Sequence, residues 1–166
     1  TYSRNEASFL AGAARVNDAT GIFKNCIMWD NMADNSTEGS LAVVSGSTIS
    51  VTYSTVQGAT LFAGVGNSNA NPMFIAPLPA STVLPSSATG NYRLHPCGSP
   101  ALNVGSNAAI PAGITTDIEG NARIFNATVD MGTYEVQQLN IIYDTLNESI
   151  CAGNSYFFNG QNNNAS

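Results

Sequence analysis

Lys24-Asn25-Cys26-Ile27-Met28-Trp29-Asp30-Asn31 can be laid over Val51-Thr52-Tyr53-Ser54-Thr55-Val56-Gln57-Gly58, and this match decides the reading of the chain. Each copy carries strand-forming residues and ends in Asn31 or Gly58, types that tolerate positive φ. The two end residues are 27 positions apart. Upstream, Ser3-Arg4-Asn5-Glu6-Ala7 matches Trp29-Asp30-Asn31-Met32-Ala33, which sets Asn5 and Asn31 26 apart. A period in the mid-twenties, with a strand in each copy, predicts successive coils of a parallel β-solenoid, stacked about 4.8 Å apart. Matching Phe23 rather than Lys24 with Val51 shifts the register by one residue and exchanges the inward and outward faces. Both registers, with Phe23 and Asn25 inward or with Lys24 and Cys26 inward, stand open at this point.

Composition supports an all-β chain. The 166 residues suffice for one domain, or for one with a small appendage. Apolar residues at 43% allow a buried core, while charged residues at 10% are too few for a helical bundle laced with ion pairs. A net charge of −6 argues against nucleic acid or an anionic membrane surface as partner. No apolar run approaches the roughly 18 residues of a membrane-spanning helix. Abundant Asn, Ser, Thr, Gly and Ala fit a secreted β protein with many polar turns. Thr1, with no initiator Met or leader before it, reads as the start of a processed or excised chain. The best helical stretch, Ala7 to Val16, is short and carries Gly12 in its middle.

Four segments follow from the punctuation. Residues 1–75 read as β-helix coils and residues 76–90 as a Pro- and Ser-rich loop. Residues 91–138 form a second block of short strands, and residues 139–166 a further partial β-module or tail.

NCIMWDN (25–31), VTYSTVQG (51–58), GVGNSNANPMF (64–74), NYRLHPCGSPALNVG (91–105), GITTDIEGNARIF (113–125) and VDMGTYE (129–135) occur in a familiar order. Together they resemble the end of a bacterial right-handed parallel β-helix protein. The block at 91–138 is similar to the choice-of-anchor Q domain of large surface proteins of the Bacteroidetes type, although Cys97 and Gly98 both precede Ser99-Pro100 here. Glu148 to Gln161 looks like the opening of a cysteine-bearing adhesin-like β-repeat, whose usual second Cys is missing. The resemblance implies right-handed β-helix coils with an irregular β closing domain, export by the type IX route and an extracellular or cell-surface location. It implies a structural segment of an adhesin, sheath or filament protein, without cofactor or metal. The partners expected are adjoining segments of a longer polypeptide or identical copies in an assembly, with glycans as a further class. The alternative is the non-catalytic end of a β-helix carbohydrate-active enzyme, or a glycan-binding module. In either case Thr1 to Val16 is expected to contact a preceding coil, and Tyr156, Phe157, Phe158 and Asn159 to form a strand-addition surface for residues outside the chain.

No catalytic set stands out. Glycoside cleavage needs two carboxylates about 5–10 Å apart across one bond. Asp30 with Asp34, and Asp117 with Glu119, are the nearest acidic pairs, and both read as turn acids. Arg4, Arg15 and Lys24 lie apart from any acidic cluster that a lyase could use. His95 is the only imidazole and lies between Leu94 and Pro96, without a nucleophile elbow. Asp117-Ile118-Glu119-Gly120-Asn121 lacks the further oxygen ligands of a calcium loop, so Arg123 is expected to pair with Glu135 or Asp130. Cys26, Cys97 and Cys151 lack the spacing of a zinc site. Cys26 reads as a small hydrophobe, and Cys97 and Cys151 as candidates for disulfides. Thr48, Ser50, Thr52 and Ser54 would place hydroxyls on one strand face, read as a solvated face rather than an ice-binding one. Asp144-Thr145-Leu146 resembles the O-glycosylation acceptor of Bacteroidetes, at Thr145. The sequons at Asn35, Asn126, Asn147 and Asn164 carry little weight in a bacterial protein.

Overall fold

The computed structural model describes residues 1–3, 5–7, 11–33, 40–78, 89–137, 155–158 and 161–164. Among these the regular structure is all β, apart from one 3-10 turn at Asn107–Ala109. The first nine strands are β1 (Tyr2–Ser3), β2 (Glu6–Ala7), β3 (Ala14–Val16), β4 (Thr20–Lys24), β5 (Ile27–Trp29), β6 (Met32–Ala33), β7 (Leu41–Val43), β8 (Thr48–Thr52) and β9 (Thr55–Val56). Ala7 and Ala14–Val16, part of the best helical stretch, thus lie in strands.

Each of the first five strands pairs in parallel with the fourth strand after it, forming short sheets β1-β5-β9, β2-β6, β3-β7 and β4-β8. Asn5 and Asn31 meet across the first of these steps, through a hydrogen bond of 2.8 Å. The register keeps the match of Ser3 with Trp29 and corrects the match of Lys24 with Val51 by one residue. Phe23 lies opposite Val51 and Ile27 opposite Thr55, which places Asp30, not Asn31, opposite Gly58. The equivalent left-handed residues are Asp18 with Gly46, at φ 48° and 87°, and Asn25 with Tyr53, at φ 53° and 50°.

Alternation along β4 and β8 then follows from the pleat. Phe23, Ile49 and Val51 turn inward and pack with Met28, Val56, Leu41 and Cys26. Thr20, Ile22, Lys24, Thr48 and Ser50 face out. Cys26 therefore packs as the small hydrophobe expected, and burial pushes its thiol pKa up.

Two neighbouring residues of β5, Ile27 and Met28, are both buried, which simple alternation against one core cannot give. Met28 belongs to the inner cluster. Ile27 packs on the opposite side against Phe74, Leu94, Ala101 and Met131. The segment after Leu94 therefore lies against the outer face of β5. It is tied there by Asn25, whose side chain accepts from Ser106 N–H at 2.7 Å and donates to Ser106 C=O at 2.9 Å, and by Gly132 N–H to Asn25 C=O at 2.8 Å. Strands β10 (Phe74–Ala76) and β11 (Asn91–Leu94) pair antiparallel and join the two halves. Residues 64–68 close one end of the parallel stack, with Tyr53 N–H to Val65 C=O at 2.8 Å and Val56 N–H to Ser68 C=O at 3.0 Å. Gly64 makes that approach at φ 148°, and a Cβ there would lie 1.9 Å from the Val51 carbonyl oxygen. Near the end of the chain, β12 (Ser155–Phe158) and β13 (Gln161–Asn164) form an antiparallel pair.

Candidate functional site

Among the described residues, Asp117, Asp130 and Glu135 are buried close together, with Glu135 paired to Arg123. Asp117 folds its own loop. Oδ1 accepts the N–H groups of Glu119 and Asn121, each at 2.9 Å, and Oδ2 accepts Glu135 N–H at 3.0 Å. Asp130 accepts Asn103 N–H at 2.7 Å and Val136 N–H at 2.8 Å. Glu135 accepts Phe125 N–H and Asp130 N–H, both at 3.0 Å, and meets Arg123 Nη1 at 2.9 Å, as the sequence reading expected of Arg123. Arg123 Nη2 donates to the Gly132 carbonyl at 2.7 Å. Buried polar groups need partners, and these three carboxylates serve as acceptors for N–H groups of an irregular backbone that no strand satisfies.

Burial raises the pKa of both Asp130 and Glu135 above the ordinary carboxylate values, opposed by their N–H donors and by Arg123. A raised folded-state pKa means that the folded chain takes up protons before the unfolded chain does as pH falls. Stability from these two groups should therefore increase from neutral pH down through the window just above the ordinary values, and level off below it. The urea midpoint is expected to be higher at pH 5.5 than at pH 7.5, with a smaller difference in the Asp130→Asn/Glu135→Gln variant. A pH dependence left unchanged in the variant would contradict the assignment, because the Thr1 amine, whose pKa burial lowers, acts in the opposite direction in both chains.

Beside this network lies an open groove of about 310 Å³, with Leu94, Pro96 and Val136 among its apolar lining and Arg93, Glu119 and Tyr134 among its polar lining. Arg93 pairs with Glu119 through both carboxylate oxygens and sits 5.4 Å above the Tyr134 ring. It thereby occupies a ring face on which a sugar could stack. With both oxygens of Glu119 engaged and those of Asp117 bonded to the backbone, neither acid is presented as a free general acid or base.

Compared with known proteins, the chain matches no family model, no curated protein and no solved structure.

The other residues singled out from sequence are dispersed. Among the described residues, no three His, Cys, Asp or Glu side chains come together as a metal set. His95 Nδ1 accepts Cys97 N–H at 3.2 Å in an exposed turn. Cys97 is unbridged among the described residues. Cys151, Thr145 and Asn159, with Arg4, Asp34, Asn35 and Asn147, lie outside the described residues. Tyr156, Phe157 and Phe158 lie on β12, one edge of which is taken by β13. Asp30 is partly buried, and burial raises its pKa against the hydrogen bond with Gln57. The hydroxyl row is shorter than the alternation predicted. Thr48 meets Thr20 at 2.9 Å between hydroxyls on the outer face, whereas Ser54 turns inward past the left-handed Tyr53 and accepts Cys26 N–H at 3.0 Å.

Sequence reasoning missed a recurring polar clasp. Asn31 accepts Asn5 N–H at 3.1 Å and donates to Tyr2 C=O at 2.9 Å. Asn67 accepts Ser54 N–H at 3.1 Å and donates to Val51 C=O at 2.9 Å. Both span the same gap, a carbonyl and the N–H three residues on. Gln57 acts similarly, with its backbone N–H on Met28 C=O at 3.0 Å and its side-chain oxygen accepting Asp30 N–H at 2.6 Å. In each case a later residue closes the turn of an earlier strand. The match of Asn5 with Asn31 is the available signal, but an Asn in a turn also satisfies a purely backbone requirement for positive φ.

Proposed function

We propose that the chain is a non-catalytic structural segment of a large secreted cell-surface protein of the adhesin, sheath or filament kind. In this reading the parallel strands are the last coils of a right-handed β-helix, and residues 91–138 are its closing block. The chain acts through assembly with adjoining segments of a longer polypeptide or with identical copies. The parallel pairings, at offsets of 26 to 28 residues, support the coil reading.

The observation that carries the non-catalytic part is the use of acids as structural acceptors, since Asp117, Asp130 and Glu135 hold backbone N–H groups. The purified chain is expected to release no oligosaccharide from plant, algal or bacterial polysaccharides. Release that is lost in Asp117→Asn or Glu119→Gln would overturn this. Imaging of native material with an antibody to the chain should place it in a filament or surface layer, and purely soluble label would remove the assembly role.

A further inference from the structure

We infer that Met73, His95 and Cys97 form a binding site for one soft cation, copper(I) by its chemistry, at the turn that follows β11. The inference goes beyond the structural role above and does not depend on the β-helix reading.

A few contacts bring the three residues together. Phe74 lies opposite Leu94 in the β10–β11 pair, and one step further out His95 N–H donates to Met73 C=O at 2.8 Å. The chain turns at residues 96–98, after which the buried Ser99 Oγ donates to Pro72 C=O at 2.6 Å. That bond pins the turn carrying Cys97 against the segment carrying Met73. Cys97 N–H donates to His95 Nδ1 at 3.2 Å, which holds the imidazole against the backbone of the thiol residue. Met73 reaches the same turn, since a Cβ built on Gly98 would lie 3.8 Å from Met73 Cε and 4.0 Å from Sδ. The only His of the chain thus shares a turn with one of its three cysteines and one of its four methionines.

The donors are available. Met73 is 41% exposed, although flexible thioether side chains ordinarily fill gaps in cores, and His95 is exposed as well. Cys97 is free of a disulfide, and among the described residues neither sulfur is engaged in a hydrogen bond. His95 Nδ1 has only the long bond from Cys97 N–H to give up.

Donor chemistry selects the ion. Thiolate and thioether sulfur favour copper(I), and imidazole binds it too. Among the described residues no carboxylate joins His95 and Cys97, which disfavours calcium, magnesium and manganese. Zinc asks for four ligands of the Cys, His and carboxylate kinds, and the same set supplies two. A trigonal copper(I) site needs no more than the three side chains present. Binding exchanges a proton for the ion. The Cys97 S–H bond breaks, its electron pair forms the Cu–S bond, the proton passes to solvent, and the metal stays in the +1 state.

The test is anaerobic titration of the full chain with copper(I) in competition with a chromophoric chelator. Methyl spectra follow with silver(I), a soft stand-in for copper(I). One equivalent should be held, and the Met73 methyl should shift while those of Met28 and Met131 stay in place. The Met28 and Met131 methyls also report that each variant keeps its fold. Cys97→Ser should abolish the site. His95→Gln and Met73→Leu should each weaken it by about tenfold or more, at least what the loss of an outer partner costs a metal site. Cys26→Ser and Cys151→Ser should leave the affinity unchanged. Zinc held as tightly as copper(I), a Met73 methyl that does not move, or full affinity in Cys97→Ser would overturn the site. A Cys97–Cys151 disulfide in the chain isolated without reductant would overturn it too, because no thiol would remain to bind.

Discussion

Glu135→Ala is expected to lower the free energy of unfolding by about 3–5 kcal/mol, the usual cost of removing one member of a buried ion pair. The Glu135 side chain is fully buried and Arg123 is 11% exposed, so solvent cannot replace the lost carboxylate easily. Phe125 N–H and Asp130 N–H lose their acceptor in the same step. Glu135→Gln should cost somewhat less, because one amide oxygen can still accept, although it too leaves Arg123 without its carboxylate and turns an NH2 toward an N–H donor. The pair itself need not be a net source of stability, since replacing both members with apolar groups of similar volume is often neutral. Urea denaturation of the Ala and Gln variants separates these effects, and equal losses in both would show that the charge, not the acceptor, matters.

The second large effect is expected at β5. Met28→Ala and Ile27→Ala should each cost about 2–5 kcal/mol, the range for emptying a buried large aliphatic site. Met28 is 0% exposed and Ile27 1%, so neither cavity opens to water. The two losses should differ in kind, because the residues serve opposite faces of one strand. Ile27→Ala should loosen the closing segment, read as faster exchange at Met131 and Gly132 N–H. Met28→Ala should act on the amides of β8 and β9 first. Identical exchange patterns would show that the faces do not unfold separately.

Much of the β architecture was legible, and its register was not, for a reason visible in the turns. Strand β2 is followed by six residues before β3, whereas β6 is followed by seven before β7. Three residues separate β3 from β4, and four separate β7 from β8. Each extra residue lengthens the step, from 26 at Tyr2 and Met28, to 27 at Ala14 and Leu41, to 28 at Thr20 and Thr48. A step held at 26 or 27 therefore matches Asn5 to Asn31 but misplaces Asn31 on Gly58, where the step has already grown to 28. Burial decides what letters could not, since inward Val51 requires inward Phe23. In the closing block, Arg123 with Glu135 was legible because few charges were available to pair. The saturation of Asp117 and Asp130 by backbone N–H groups was not, because it depends on where irregular segments cross, and side-chain type carries no record of that.

The double-sided burial of β5 also sets an order of events as the chain is made. Contacts across the parallel strands span 26 to 28 residues, but Asn25 meets Ser106 across 81 positions and Thr55 meets Met131 across 76. Distant contacts form late, because closing a longer loop costs more chain entropy and needs residues that have not yet emerged. A nascent chain that has completed its first nine strands therefore presents Ile27 on a sheet that Phe74, Leu94, Ala101 and finally Met131 have still to cover. For that interval the half-made protein carries a sticky strip beside open strand edges, the combination that favours aggregation. Slower synthesis is therefore expected to lengthen that interval and lower the share of chains that reach the native state.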